Sequence, residues 1–130
     1  MQGHSTFEYL VYQTFDSLPF IILENAVKYA PIGSEVKVAF REEHNNLYVS
    51  VTSEGPFCDE EEIKNIFTKG FRGKGALSTK VAGSGLGLCL AKEICDAHDI
   101  AIKITSNRSN KIYDIPYGSF EVNLSFINRP

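Results

Sequence analysis

The stretch Val36-Lys37-Val38-Ala39-Phe40-Arg41-Glu42-Glu43-His44-Asn45-Asn46-Leu47-Tyr48-Val49-Ser50-Val51-Thr52 decides the fold class. Val36, Val38 and Phe40 alternate with Lys37, Ala39 and Arg41, and Leu47, Val49 and Val51 alternate with Tyr48, Ser50 and Thr52. Successive side chains of a strand point to opposite faces, so this period of two predicts two half-buried strands. Asn45-Asn46 between them predicts the hairpin turn, since Asn tolerates positive φ. Two later runs alternate the same way: Ile100, Ile102 and Ile104, then Phe120, Val122, Leu124 and Phe126, separated by the polar stretch Ser106 to Gly118. Phe7 to Phe15 is expected to add an edge strand.

Helical spacing fills the gaps. Asp16 or Ser17 caps a predicted helix with Pro19 in its first turn, in which Ile22, Leu23, Ala26, Val27 and Ala30 recur; Pro31-Ile32-Gly33 ends it. Asp59 followed by Glu62 matches a capping box, and the acidic stretch suits the positive end of a helix running to Phe67 better than a metal site. Leu86, Leu90, Ile94 and Cys95 mark the apolar stripe of a further helix that ends near His98, with Lys92, Glu93 and Asp96 facing water. The expected class is α/β, a two-layer α/β sandwich whose mixed, mostly antiparallel sheet is covered on one face by helices. Strands and helices do not alternate regularly, which argues against a doubly wound nucleotide-binding fold.

With 130 residues, 43% hydrophobic and 22% charged, the chain is expected to form a single domain over residues 1–130. Its net charge of -3 offers no general attraction to nucleic acid or acidic membranes. Cys58, Cys89 and Cys95 lack metal-ligand spacing and read as small core residues. No signal-peptide pattern opens the chain, and the apolar run Leu18 to Leu23 is far below spanning length, so a cytoplasmic setting is expected.

Against that acidic background, Thr68 to Leu88 holds Lys69, Arg72, Lys74 and Lys80 and no acidic residue. Glycines at Gly70, Gly73, Gly75, Gly83, Gly85 and Gly87 admit close approach of backbone amides to a ligand, and Gly85 to Leu88 lead into a helix N-terminus. Basic charge, bare backbone and a helix start together describe a phosphate site on a long mobile loop, about residues 68–84. A merely solvated loop is the plainer reading of the composition, which the ordered run Gly83-Ser84-Gly85-Leu86-Gly87-Leu88 before a helix argues against. No GxxxxGK[ST] string occurs, and Leu88 stands where a dinucleotide fingerprint needs its last small residue. Nucleic-acid binding is disfavoured, because the loop has one aromatic, Phe71, and the chain is acidic.

Four ordered segments resemble the ATP-binding domain of sensor histidine kinases and their GHKL relatives, over roughly Leu18 to Phe126. Leu23-Glu24-Asn25-Ala26-Val27-Lys28-Tyr29-Ala30-Pro31 resembles that family's N box; the resemblance implies that Asn25 holds Mg2+ and that Lys28 and Tyr29 lie near the phosphates. A neutral amide oxygen is a good ligand for a hard cation and adds no repulsion to the nucleotide. Val51-Thr52-Ser53-Glu54-Gly55-Pro56-Phe57 sits where the family has its first glycine box, implying Ser53, Gly55 and Phe57 near adenine. Ser53 replaces the usual aspartate and Phe57 the second glycine, and losing a charge-assisted bond costs roughly 1 to 2 kcal/mol. Ile66-Phe67-Thr68-Lys69-Gly70-Phe71-Arg72 resembles the F box, placing Phe71 and Arg72 at the start of the lid. Gly83, Ser84, Gly85, Leu86, Gly87 and Leu88 resemble the second glycine box at the phosphates.

The resemblance implies the Bergerat fold, ATP and Mg2+ as cofactors, and transfer of a phosphoryl group to a histidine on a separate dimerisation domain, with a response regulator downstream. His4, His44 and His98 lie in no such helical domain. Ile21 stands one turn before Asn25, where ATP-hydrolysing relatives carry an acid, and Glu24 is expected to face away on the surface. Kinase chemistry is therefore favoured over hydrolysis, since imidazole is its own nucleophile. Two other readings stay open: a degenerate scaffold that binds nucleotide weakly, and another GHKL enzyme such as a standalone protein-serine kinase or an ATPase.

Overall fold

The computed structural model describes residues 6–79, 85–112 and 114–127, and side chains outside 6–16 and 78. Its elements in chain order are α1 (Thr6–Tyr29), β1 (Lys37–Glu43), β2 (Asn46–Pro56), α2 (Glu60–Lys64), α3 (Lys74–Ser78), α4 (Gly87–Ala97), β3 (Ile100–Ile112) and β4 (Ile115–Phe126).

The alternating runs form a four-stranded sheet in the order β1-β2-β4-β3. Every pairing among the described strands is antiparallel, in line with the mostly antiparallel sheet expected from sequence. Register aligns the apolar faces into rows: Val38 faces Val51, Val51 faces Val122, and Val122 faces Ile104. The first turn falls on His44 and Asn45, one residue earlier than expected, both at positive φ (52 and 66) as a two-residue hairpin with right-handed strand twist requires.

α1 lies against β2 and α4 against β3, and the two helices also pack on each other. Leu18, Ile22 and Ala26 of α1 meet Ala91, Ile94 and Cys95 of α4 and the sheet residues Val51, Ile104, Val122 and Leu124 in one core. The opposite sheet face is polar: Ser50 Oγ donates to Asn123 Oδ1 at 2.8 Å and Thr52 Oγ1 to Glu121 Oε2 at 3.1 Å. Helical cover stops short of the edge strand β1, which leaves Phe40 70% exposed although its alternation puts it on the helix side.

Four expectations are corrected. Phe7 to Phe15 is helix, not an edge strand, and α1 runs through Pro19, which withholds one backbone donor inside the helix. Phe7, Leu10, Val11, Phe15, Leu18 and Ile22 share helical spacing, so the segment continues the helix whose Leu18 and Ile22 are in the core. Ser106 to Gly118 is largely strand, because β3 and β4 continue as a long hairpin with a register shift between Arg108 and Asn110. α2 stops at Lys64, short of Phe67. The 68–84 loop contains α3, while residues 80–84 lie outside those described.

Candidate functional site

α1 has two working faces. Leu18, Ile22 and Ala26 are buried, while Ile21, Asn25, Lys28 and Tyr29, spaced by three, four, seven and eight residues, line a cavity of about 560 Å³. That volume lies within the roughly 300–1,000 Å³ of small-molecule sites. The end of β2 forms the floor with Ser53, Glu54, Gly55 and Pro56, joined by Phe120 of β4, which stands opposite Ser53 in the sheet register. Lys69, Phe71, Arg72, Gly73 and Ala76 form one wall, and Gly85 to Leu90 with Glu93 form another at the start of α4.

Two arrangements hold the loop, one against α1 and one against α2. Arg72 Nη2 donates to the Tyr29 hydroxyl at 3.0 Å and to the Ala76 carbonyl at 3.2 Å, while the Tyr117 hydroxyl donates to the Tyr29 carbonyl at 3.1 Å. Burial, and then the neighbouring Tyr29, push the Tyr117 phenol above its ordinary pKa. Glu62 completes the capping box of α2 and also accepts from the Lys74 amide at 2.8 Å, so one carboxylate caps α2 and α3. At the far end of the loop, Gly85 (φ +71) lies against the Gly70-Phe71 backbone, and the Gly70 amide donates to the Gly85 carbonyl at 3.0 Å.

Charge and depth are separated in the cavity. Its charged lining residues, Lys28, Lys69 and Arg72 with Glu24, Glu54 and Glu93, are all exposed or half-buried, whereas Ala26, Ser53, Ile66 and Phe120 are buried. Cys58 is also in the lining; desolvation first, then Glu62 and Asp59, push its thiol up to about 12, so it is neutral and unreactive at ordinary pH. No cluster of three or more metal-binding His, Cys, Asp or Glu occurs among the described residues. A divalent ion here would take oxygen ligands from the Asn25 amide and from a ligand's own phosphates.

The structure brings Asn25, Lys28, Tyr29, Ser53, Gly55, Phe71, Arg72, Gly85, Leu86, Gly87 and Leu88 onto this one cavity. Phe57 is not among the lining residues; its amide donates to the Pro116 carbonyl at 2.9 Å. Gly83 and Ser84 lie outside the described residues. The basic cluster divides: Lys69 and Arg72 line the cavity, Lys74 does not, and Lys80 lies outside the described residues. Glu24 is exposed as expected yet stands on the cavity rim rather than away from it, as do Leu86 and Leu90, which are 43% and 44% exposed instead of forming a core stripe. Cys58, Ile66, Cys89 and Phe120 went unnoticed as lining, because their membership depends on strand register and helix placement, which local spacing does not contain.

Residues 18–120 match the family described as "Histidine kinase-, DNA gyrase B-, and HSP90-like ATPase", and the chain belongs to that family. Within it, the similar proteins are sensor histidine kinases. The chain is 36% identical over 101 residues to the sensor histidine kinase WalK of Bacillus subtilis, covering 74% of this chain and 16% of WalK. It is 35% identical over 85 residues to the sensor-like histidine kinase SenX3 of Mycobacterium tuberculosis, covering 65% of this chain and 21% of SenX3. Across such curated relatives it spans between 14% and 25% of their length. Among solved structures, the mycobacterial sensor histidine kinase MprB shares the fold with a TM-score of 0.73 at 24% identity, over 91% of this chain and 74% of that one. The catalytic domain of histidine kinase ThkA does so with a TM-score of 0.65 at 23% identity, over 88% and 66%. Among the described residues, no helix is long and apolar enough to cross a membrane.

Proposed function

We propose that this chain binds MgATP in the cavity between α1, β2 and α4 and presents the γ-phosphate to a histidine on a separate dimerisation domain of a sensor kinase. The observation that carries this reading is convergence: Asn25, Ser53, Arg72 and Gly87, scattered over some sixty residues of sequence, line one cavity. In it, Asn25 takes the Mg2+ and is the catalytic contact together with Lys28. Lys28, Tyr29, Arg72, Phe71 and the Gly83 to Leu88 segment surround the phosphates, and Ser53 and Gly55 receive the adenine. Bound Mg2+ would neutralise phosphate charge. Ile21 at the cavity wall one turn before Asn25 supplies no general base, which favours transfer to an imidazole over attack by water. The phosphohistidine would pass its group to a response regulator, and the domain would work in the cytoplasm, also where its parent is membrane-anchored.

Calorimetric titration with MgADP and a nonhydrolysable MgATP analogue tests the proposal. Micromolar to sub-millimolar binding, weakened at least tenfold by Asn25→Ala, is the expected result. A folded wild-type domain that binds neither nucleotide would leave a scaffolding role in its place.

A further inference from the structure

Apart from the Tyr117 phenol and the thiols of Cys58 and Cys95, Ser53 is the one buried polar side chain among the described residues, at 5% exposure. It sits on the cavity floor beside Phe120, with Ala26 and Ile66 also buried in the lining and the Cys58 thiol held neutral. Among the charged side chains of the lining, Glu24, Glu54, Lys69 and Glu93 are exposed and Lys28 and Arg72 half-buried. The deep end therefore suits a flat, weakly polar group, and the mouth suits the charged part of the same ligand.

A hydroxyl donates one hydrogen bond and accepts others, whereas a carboxylate only accepts. A purine with an amino group at its 6-position donates to such a floor, and one with an oxo group there accepts from it. Sites select strongly between such groups when the wrong one leaves a buried polar partner unpaired, and Ser53 is satisfied by either through rotation of its O–H. We infer that Ser53 makes this site tolerant of the purine 6-substituent, so that 6-oxopurine nucleotides bind alongside adenine nucleotides; this rests on the nucleotide-site reading above.

The wild-type domain is titrated with MgADP and MgIDP, which differ at the purine 6-position and at the adjoining N1, an acceptor in adenine and an N–H donor in the 6-oxopurine. Dissociation constants within about fivefold are expected, since two neutral hydrogen bonds of similar strength are exchanged. Ser53→Asp, an acceptor only, is expected to widen the ratio beyond about thirtyfold, by gaining a charge-assisted bond from the 6-amino group of MgADP and repelling the 6-oxo oxygen of MgIDP. Ser53→Ala should weaken both ligands and leave their ratio unchanged. A wild-type preference for MgADP above about thirtyfold overturns the inference while sparing the nucleotide site, as does a folded Ser53→Asp variant that keeps the wild-type ratio. Binding of neither nucleotide overturns both.

Discussion

Gly85→Ala offers a sharp test of how the loop is closed. A Cβ at Gly85 would lie 2.4 Å from the Gly70 carbonyl carbon and 2.6 Å from the carbonyl oxygens of Gly70 and Phe71, all backbone atoms that no rotamer change moves aside. Its φ of +71 adds the cost of a left-handed L-residue. Together these amount to about 1–2 kcal/mol for the dihedral and about 1–3 kcal/mol for the overpacking. The total of about 2–5 kcal/mol exceeds the roughly 1 kcal/mol that a single hydrogen bond such as Gly70 to Gly85 contributes. The two ends of the loop should therefore part locally before the sheet or α4 gives way. Gly33→Ala is the control, since Gly33 also has positive φ (+86) but nothing within 4 Å of its notional Cβ. It should lose only the dihedral part, about 1–2 kcal/mol. Denaturant unfolding and MgADP titration of both variants are the assay: Gly85→Ala should weaken binding at least tenfold, and Gly33→Ala should leave it within twofold. Unchanged nucleotide affinity in Gly85→Ala, or stability losses that match in the two variants, would refute the close-approach reasoning.

Other consequences follow from the core and the caps. Ile94→Ala, at a side chain 1% exposed between α4 and the sheet, should cost about 2–5 kcal/mol in chemical denaturation. Glu62→Ala removes the acceptor for both the Asp59 and Lys74 amides and should cost about 1–2 kcal/mol while loosening α3 and raising the Kd for MgADP. The Cys58 thiol stays protonated in the fold to about 12 against an ordinary 9.0, so between those values the unfolded chain alone loses the proton and stability must fall as pH rises. The limiting slope is about 1.4 kcal/mol per pH unit, and the difference between wild type and Cys58→Ala across pH 9 to 12 isolates it. With iodoacetamide at neutral pH, half-buried Cys89 should be alkylated first, and modification of buried Cys58 and Cys95 should wait for unfolding, as peptide mass mapping would show.

Period and capping made much of the architecture readable before any coordinates. Val36 to Thr52 announced a hairpin and Asp59 and Glu62 announced a cap, while the family resemblance of four segments pointed to residues of which Asn25, Ser53, Arg72 and Gly87 line one cavity and Phe57 does not. These are local properties: side-chain alternation, a reachable backbone amide, a bare glycine backbone. Where local rules were satisfied twice, sequence alone chose wrongly. Phe7, Tyr9, Val11 and Phe15 alternate like a strand, while Phe7, Leu10, Val11 and Phe15 also repeat like a helix, and the segment is helix, continuous with the stretch that carries Leu18, Ile22 and Ala26 into the core. The polar run from Ser106 to Gly118 carries no strand period, yet β3 and β4 continue through it because each satisfies the other's backbone hydrogen bonds, and Gly118, whose Cβ would meet the Asn107 carbonyl oxygen at 1.7 Å, lets them close. The cavity likewise depends on register and crossing geometry, which place Phe120 opposite Ser53, leave Phe57 outside the lining and bring Glu24 to the rim. Spacing along the chain determined which side chains share a face; only long-range pairing, a property of segments far apart in sequence, decided what each face meets.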